Sequence, residues 1–197
     1  MGREILWSAD VEIEGITPML MHKCGIIESG SASKADKDYS GEWKRGTYLS
    51  SNGDGCIIVP QLNLLAMVRD ACKGQKIGRT AMNRVVVPGI DIPFEYFEVP
   101  VLYRGKKITL DMVETNNWLF TCAVVVQRNR VNRVRTQLPI GWTAQWRFDI
   151  FDRRVTEDIL RNLLSDAGVY AGLCDWRPGA PKPGKFGMFE VKKFEVV

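Results

Sequence analysis

The sequence predicts an α+β domain whose elements run strand, helix, strand, strand, helix, strand, and three observations carry that prediction. Residues 5–16 and 188–196 alternate apolar and polar side chains with period two, the mark of strands with one buried face. Residues 61–73 and 157–167 instead place apolar residues at helical spacing. Between those helices lie a nearly continuous apolar, β-branched run at 118–127 and a second alternating run at 143–151. This order is the split βαβ, or ferredoxin-like, plan, with insertions at 24–56 and 75–117.

In the first strand Val11, Ile13 and, across a kink at Gly15, Ile16 oppose Asp10, Glu12 and Glu14. Thr17-Pro18 ends it, because proline cannot donate to a ladder. Residues 24–56 are rich in Ser, Gly, Lys and Asp and read as a long loop with room for one small hairpin. A short apolar run at 56–59 stops at Pro60, and the first helix follows with Leu64, Leu65, Val68 and Ala71/Cys72 on its stripe and Gly74 as its stop. Residues 75–117 read as irregular, with Val85-Val86-Val87 and 97–103 as strand candidates and a turn at Gly105-Lys106-Lys107. The run at 118–127 reads as a central strand covered on both faces. It continues through 128–135, turns near 138–141 and returns through Trp146, Phe148 and Ile150. Thr156 caps the second helix, Glu157 and Asp158 suit its N-terminal dipole, and Gly168 ends it. Its stripe is Ile159, Leu160, Leu163 and Leu164, and in the last strand Phe189, Val191, Phe194 and Val196 point inward.

The 197 residues suit a single domain, and 45% hydrophobic with 25% charged residues is the balance of a globular chain with a buried core. A net charge of +4 permits an acidic partner without demanding one. The five cysteines (Cys24, Cys56, Cys72, Cys122, Cys174) form no C-x-x-C pair, and the one histidine, His22, cannot complete a zinc site. Neither a metal nor another cofactor is expected, and the thiols read as buried and reduced. Residues 1–4 run straight into a strand pattern, and no window approaches the ~18 apolar residues of a membrane span. The expectation is a cytoplasmic chain.

The strongest local signal is the basic stretch Gln127-Arg128-Asn129-Arg130-Val131-Asn132-Arg133-Val134-Arg135-Thr136. In a strand, Arg128 and Arg130 point one way and Arg133 and Arg135 the other, so both faces are polar and the stretch leaves the core. Four arginines with interleaved asparagines (Asn129 and Asn132) and no acid make a phosphate-binding strip, since guanidinium forks match phosphate oxygens. The competing explanation is a solvated strand extension, for which lysine and mixed signs are the usual choice. The second signal is the glycine-rich stretch 172–187. Its backbone N–H groups can form an anion nest, Trp176 and Phe186 can stack bases, and Arg177 and Lys185 can meet phosphates. An ordinary loop before the last strand explains the same residues.

These segments also carry a resemblance. Ile58-Val59-Pro60-Gln61-Leu62-Asn63-Leu64-Leu65-Ala66-Met67-Val68-Arg69 resembles the I-P-G-S-S-L-K-G-x-x-R element of the RAMP superfamily, which includes the subunits lining the guide RNA in CRISPR effector complexes. Ile16-Thr17-Pro18-Met19-Leu20 resembles the T-P-L-H-I-G end of that family's first strand, and residues 172–187 resemble its C-terminal glycine-rich loop. Gln61 and Asn63 stand where glycine and serine are usual, and His22 is offset from the family's histidine. The resemblance implies a modified RNA-recognition-motif fold with a protruding β2–β3 hairpin, or thumb, at 128–142. It also implies a nucleic-acid contact for Arg69.

The function expected is therefore binding of single-stranded nucleic acid, RNA before DNA, by a homo-oligomer or filament on the strand. CRISPR effector subunits are possible partners, and a stand-alone or phage-encoded relative fits the sequence equally well. An enzyme is not expected. Its weak form is a metal-independent ribonuclease using His22, with Asp36 and Asp38 as further acidic candidates in the first long loop. A third reading is a protein that mimics a CRISPR subunit and binds other proteins.

Overall fold

The computed structural model describes residues 3–23, 41–126 and 129–197, the side chains of 124–126, 129 and 131 excepted. The first part of the chain contains β1 (Trp7–Gly15), β2 (Met19–Leu20), α1 (Glu42–Gly46), β3 (Ile58–Pro60) and α2 (Gln61–Ala71). The middle holds β4 (Lys76–Ile77), β5 (Thr80–Ala81), α3 (Asn83–Gly89), β6 (Ile90–Asp91), β7 (Glu98–Pro100), β8 (Leu102–Tyr103), β9 (Lys106–Lys107) and α4 (Leu110–Thr115). Then come β10 (Leu119–Val126), β11 (Asn129–Leu138), β12 (Trp142–Ile150), α5 (Glu157–Asp166) and β13 (Phe189–Val196). It is an α+β protein built on antiparallel sheets. Among the described residues, no helix is long and apolar enough to cross a membrane.

The main sheet runs β13-β1-β12-β8-β9, with β6 also on β12. Period-two alternation sorts its faces: Ala9, Val11 and Ile13 of β1 and Trp142, Ala144, Trp146, Phe148 and Ile150 of β12 are buried on one side. Between them, on the other side, Arg147 forks onto Asp10 at 2.7 and 2.9 Å, Ser8 bonds Asp149 at 2.6 Å and Lys192 meets Glu14 at 3.2 Å. In β13 the inward residues change parity, from Phe189 to Phe194. A shift of register between Glu12 and Ile13, where Ile13 pairs Val191 but Glu12 pairs Lys193, supplies the extra residue. Val191 is half-buried and packs on the core, whereas Val196, at the end of the strand, is exposed.

Helices α2 and α5 complete the core with Leu64, Met67 and Val68 from one and Leu160, Leu163 and Leu164 from the other. Each of those large side chains contributes about 1.5–3 kcal/mol by leaving water. Thr156 accepts the Ile159 N–H at 3.4 Å and so caps α5 as the sequence requires. Gly74, with φ +77°, ends the α2 region in the left-handed conformation that favours glycine.

Four expectations are corrected. Val85-Val86-Val87 lies in helix α3, not in a strand: Met82, Val85, Val86 and Gly89 recur at helical spacing and are buried, and that burial overrides β-branched propensity. The run at 119–126 is not a central strand, because it pairs with β11 in a separate sheet ordered β10-β11-β2, and Thr121 and Ala123 face solvent. The hairpin is consequently formed by β10 and β11, with Val126 opposite Asn129, rather than by residues 128–142. Gly168 does not end α5. The chain continues through a π-helical turn (Ala167–Ala171) in which a Cβ on Gly168 would lie 2.0 Å from the Phe189 carbonyl oxygen, and Gly172 (φ +66°) makes the stop.

Candidate nucleic-acid interface

The hairpin is tied to the glycine-rich loop by one cross-strand pair. Phe120 of β10 stands directly opposite Arg135 of β11, so both side chains share a face. Phe120 packs edge-on against Trp176 and Phe186 of the loop, with ring centroids 5.8 and 5.3 Å away. Trp176 and Phe186 themselves lie 6.4 Å apart. Arg135 lies over the Trp176 ring, 4.8 Å from its centroid, and forms an ion pair with Asp175. The three aromatic rings and Arg135 thus clamp the loop to the hairpin, and all three rings remain partly open to solvent.

The arginines divide by role. Arg135 is almost fully buried and engaged by Asp175, and Arg133 pairs with Glu42 of α1. Neither leaves the body of the protein as the alternation of the strip implies, because α1, from the first insertion, lies against β11 and supplies Glu42. Thr47, just beyond α1, shares a 2.6 Å hydroxyl hydrogen bond with buried Thr136. Arg130 and Asn132 do face solvent, as do Lys185 and Arg69. Arg177 is held by Asp70 at 2.7 Å and donates to the Ala171 carbonyl at 3.3 Å. Burial pushes the Asp70 carboxyl up, but the hydrogen bonds from Lys73 and Arg177 outweigh it and hold the group below the usual range. Arg128, Asp36 and Asp38 lie outside the described residues, as does the side chain of Asn129.

The glycine-rich loop is not an open anion nest. The N–H groups of Gly172, Leu173, Gly179, Gly184, Phe186 and Gly187 bond carbonyls of Ala167, Gly187, Ala171, Arg177, Trp176 and Pro18. A Cβ on Gly184 would fall 2.1 Å from the Trp176 carbonyl oxygen, and one on Gly187 would fall 2.0 Å from that of Leu173. Glycine is therefore needed so that the loop can pack on itself. Cys174 and Trp176 adopt φ of +62° and +47°, left-handed values unusual outside glycine, and they flank Asp175. The N–H of Asp175 donates to Leu20 at 3.0 Å, which fixes that strained turn against β2.

Beside this clamp is a cavity of about 140 Å³ lined by His22, Tyr48, Asn63, Ala66, Cys174, Asp175 and Arg177. Burial, followed by the positive charge of Arg135, lowers the His22 pKa and keeps the ring neutral. Burial pushes the Cys174 thiol up to about 12, so it is no thiolate nucleophile at neutral pH. Among the described residues, no group of three or more His, Cys, Asp or Glu side chains is placed to hold a metal ion. Sequence reasoning missed Phe120, Asp175, Tyr48 and Asn63 as members of this site. The pairing register of the hairpin was the one signal that leads to Phe120.

No family model matches the sequence, and no curated protein matches it. Among solved structures, the fold is similar to a chain in the cryo-EM structure of the type III-B Cmr-β bound to cognate target RNA. The TM-score is 0.58 at 13% sequence identity, over 97% of this chain and 60% of that one. This chain spans only that share of its neighbour's length, and at such identity the likeness is one of fold.

Proposed function

We propose that this chain binds single-stranded nucleic acid, RNA before DNA, across the root of the β10–β11 hairpin and the 172–187 loop, as a subunit that repeats along the strand. The observation that carries the reading is the set of partly open rings Phe120, Trp176 and Phe186, joined across the hairpin by Arg135. Bases stack on such rings whatever their sequence. Arg130, Lys185 and Arg69, which face solvent, are the residues we assign to phosphates. The outer face of the main sheet suits a strand less well, since Asp10, Glu12, Glu14, Asp149, Glu190 and Glu195 outnumber Arg147, Lys192 and Lys193 there, and those three cations are already in ion pairs with carboxylates of that face. Two further points support the reading: the solved neighbour is an RNA-bound Cmr-β structure, and the strand order β13-β1-β12 with α2 and α5 on the buried face fits a ferredoxin-like, RNA-recognition type of fold.

Fluorescence titration of a labelled oligonucleotide at several salt concentrations tests it. Each phosphate neutralised on a single strand contributes a slope of about −0.7 to log K against log salt. Three to six contacts give roughly −2 to −4. A slope near zero, or absence of binding at low salt, would refute the proposal. Assembly is tested by light scattering with long homopolymers, where one protein per strand at saturation removes the filament reading. A second reading, a metal-independent ribonuclease, rests on the place of neutral His22 in the cavity wall. It requires strand cleavage that is lost in His22→Ala.

A further inference from the structure

Resting on that strand-binding proposal, we infer that the bound strand continues past the clamp to the β8–β9 turn, where Arg104 and Lys106 hold its phosphates. Charge is the first argument. Arg104, Lys106 and Lys107 are exposed at one two-residue turn, and none is in an ion pair among the described residues. On the neighbouring sheet face the cations are matched, as Arg147 is by Asp10 and Lys193 by Glu195. The backbone of the turn supports the same reading. Arg104 and Gly105 adopt φ of +51° and +76°, the left-handed pair that a two-residue type I′ hairpin needs. Asparagine, aspartate or glycine is the usual residue before that glycine. An arginine there carries the steric cost of positive φ, and its guanidinium lies only over the Tyr103 ring, 5.1 Å from the centroid.

The rings are the second argument. Tyr103 packs edge-on against Trp118 with 5.5 Å between centroids, and both are half-buried. Trp118 comes two residues before Phe120, no more than about 7 Å away along the chain. Gln137 of β11 donates to the Trp118 carbonyl at 2.9 Å, so the pairing that sets Phe120 opposite Arg135 extends to Trp118. Tyr103, Trp118, Phe120, Trp176 and Phe186 therefore form one run of partly open rings from the basic turn to the glycine-rich loop. A strand stacked on the clamp has this run as its continuation.

Register decides which cations belong to the path. Tyr103 stands opposite both Trp142 and Lys106, so Lys106 shares its face. Lys107 stands opposite Leu102 instead, on the face that carries Thr143 and Glu14. Glu12 and Glu14 line the groove behind the turn together with Arg104. Lys192 pairs Glu14 at 3.2 Å, which leaves Glu12 alone against the open cations. The path thus runs on the ring side, away from the carboxylates.

The test measures the salt slope of oligo-U binding by fluorescence anisotropy, over a series of lengths that admit one copy of the full chain. The variants are Arg104→Gln/Lys106→Gln, Lys106→Gln alone, and Arg153→Gln as a control beyond the far end of β12. Glutamine removes the charge and keeps a polar side chain, and Lys106→Gln leaves both positive-φ residues in place. In the parent chain the slope should steepen by about 1.4 once the strand is long enough to pass the clamp, at about 0.7 per phosphate. The double variant should lose that increment and match the parent on the shortest strands that bind. Lys106→Gln should lose half of it, and Arg153→Gln should match the parent at every length. Turn variants indistinguishable from the parent at all lengths overturn the inference and leave strand binding standing. So does a slope lowered on the shortest strands, or lowered equally in Arg153→Gln. No binding of oligo-U by the parent chain at low salt overturns both.

Discussion

Arg135→Ala should destabilise the fold, although the residue belongs to a basic strip that reads as a ligand surface. Its side chain is only 10% exposed, Asp175 is 23% exposed, and the guanidinium also covers Trp176. Truncation removes a charge-assisted hydrogen bond worth about 1.5–3 kcal/mol and a cation–π contact worth about 0.5–2 kcal/mol. Partial solvation of both partners argues for the lower part of those ranges, about 2–3 kcal/mol together. For a chain of 197 residues, 1 kcal/mol moves Tm by about 2–4 °C, so the expected loss is roughly 4–12 °C. Arg130→Ala is the control. Its side chain faces solvent, and surface changes stay within about 0.5 kcal/mol. It should leave Tm in place while lowering the salt slope of strand binding by about 0.7. Calorimetry of both variants, with Asp175→Ala and the double variant closing a cycle, decides the matter. An unchanged Tm for Arg135→Ala, with a coupling energy near zero, would show that the clamp holds nothing and that Arg135 is free for phosphate.

Leu163→Ala, deep on the α5 stripe, should cost about 2–5 kcal/mol in chemical denaturation with no selective effect on binding. Gly168→Ala should be worse than an ordinary surface alanine, because its Cβ meets a carbonyl oxygen of β13 at 2.0 Å; a Tm within 2 °C of the parent would refute that contact. Phe186→Ala should weaken strand binding by about 1–3 kcal/mol with the salt slope unchanged, since stacking releases no counterions. The lowered pKa of His22 gives a pH dependence with a definite sign. Its neutral form stabilises the fold fully above the unfolded-state value near 6.5, and that stability is lost as pH falls through the lower folded-state value. Denaturation midpoints should therefore fall faster between pH 7 and pH 5 in the parent chain than in His22→Gln, and parallel curves would refute the assignment.

The elements legible in the sequence were those whose burial is one-sided and periodic. β1, β12 and α5 declared themselves because each puts every second, or every third and fourth, side chain into one core. What failed was inference from composition without period. An apolar β-branched run such as 119–126 says that a strand forms but not which strand it pairs with, and here its partner is the basic strand beside it. Val85-Val86-Val87 failed for the same reason. The helical spacing from Met82 to Gly89 was present, and the β-branched triplet obscured it.

The site shows a sharper limit, and it explains why the arginine strip was half misread. Alternation correctly put Arg133 and Arg135 on one face, away from Arg130. Nothing local could say that Glu42, about ninety residues earlier, and Asp175, forty residues later, would arrive on that face. A charged residue's role depends on whether its counterion comes from the protein or from a ligand, and that is decided by long-range topology. The same topology gives the glycine-rich loop its purpose. Its glycines admit the protein's own carbonyls, which spends the N–H groups that would otherwise bind an anion. Under the strand-binding proposal, recognition at this surface would fall to the rings and to the outward cations Arg130, Lys185 and Arg69. Such a division separates phosphate contacts from stacking, so Arg130→Ala should lower the salt slope of strand binding while Phe186→Ala lowers affinity at an unchanged slope. A salt slope that falls in Phe186→Ala as much as in Arg130→Ala would mean that the phosphate and stacking contacts form one unit and that the separation is wrong.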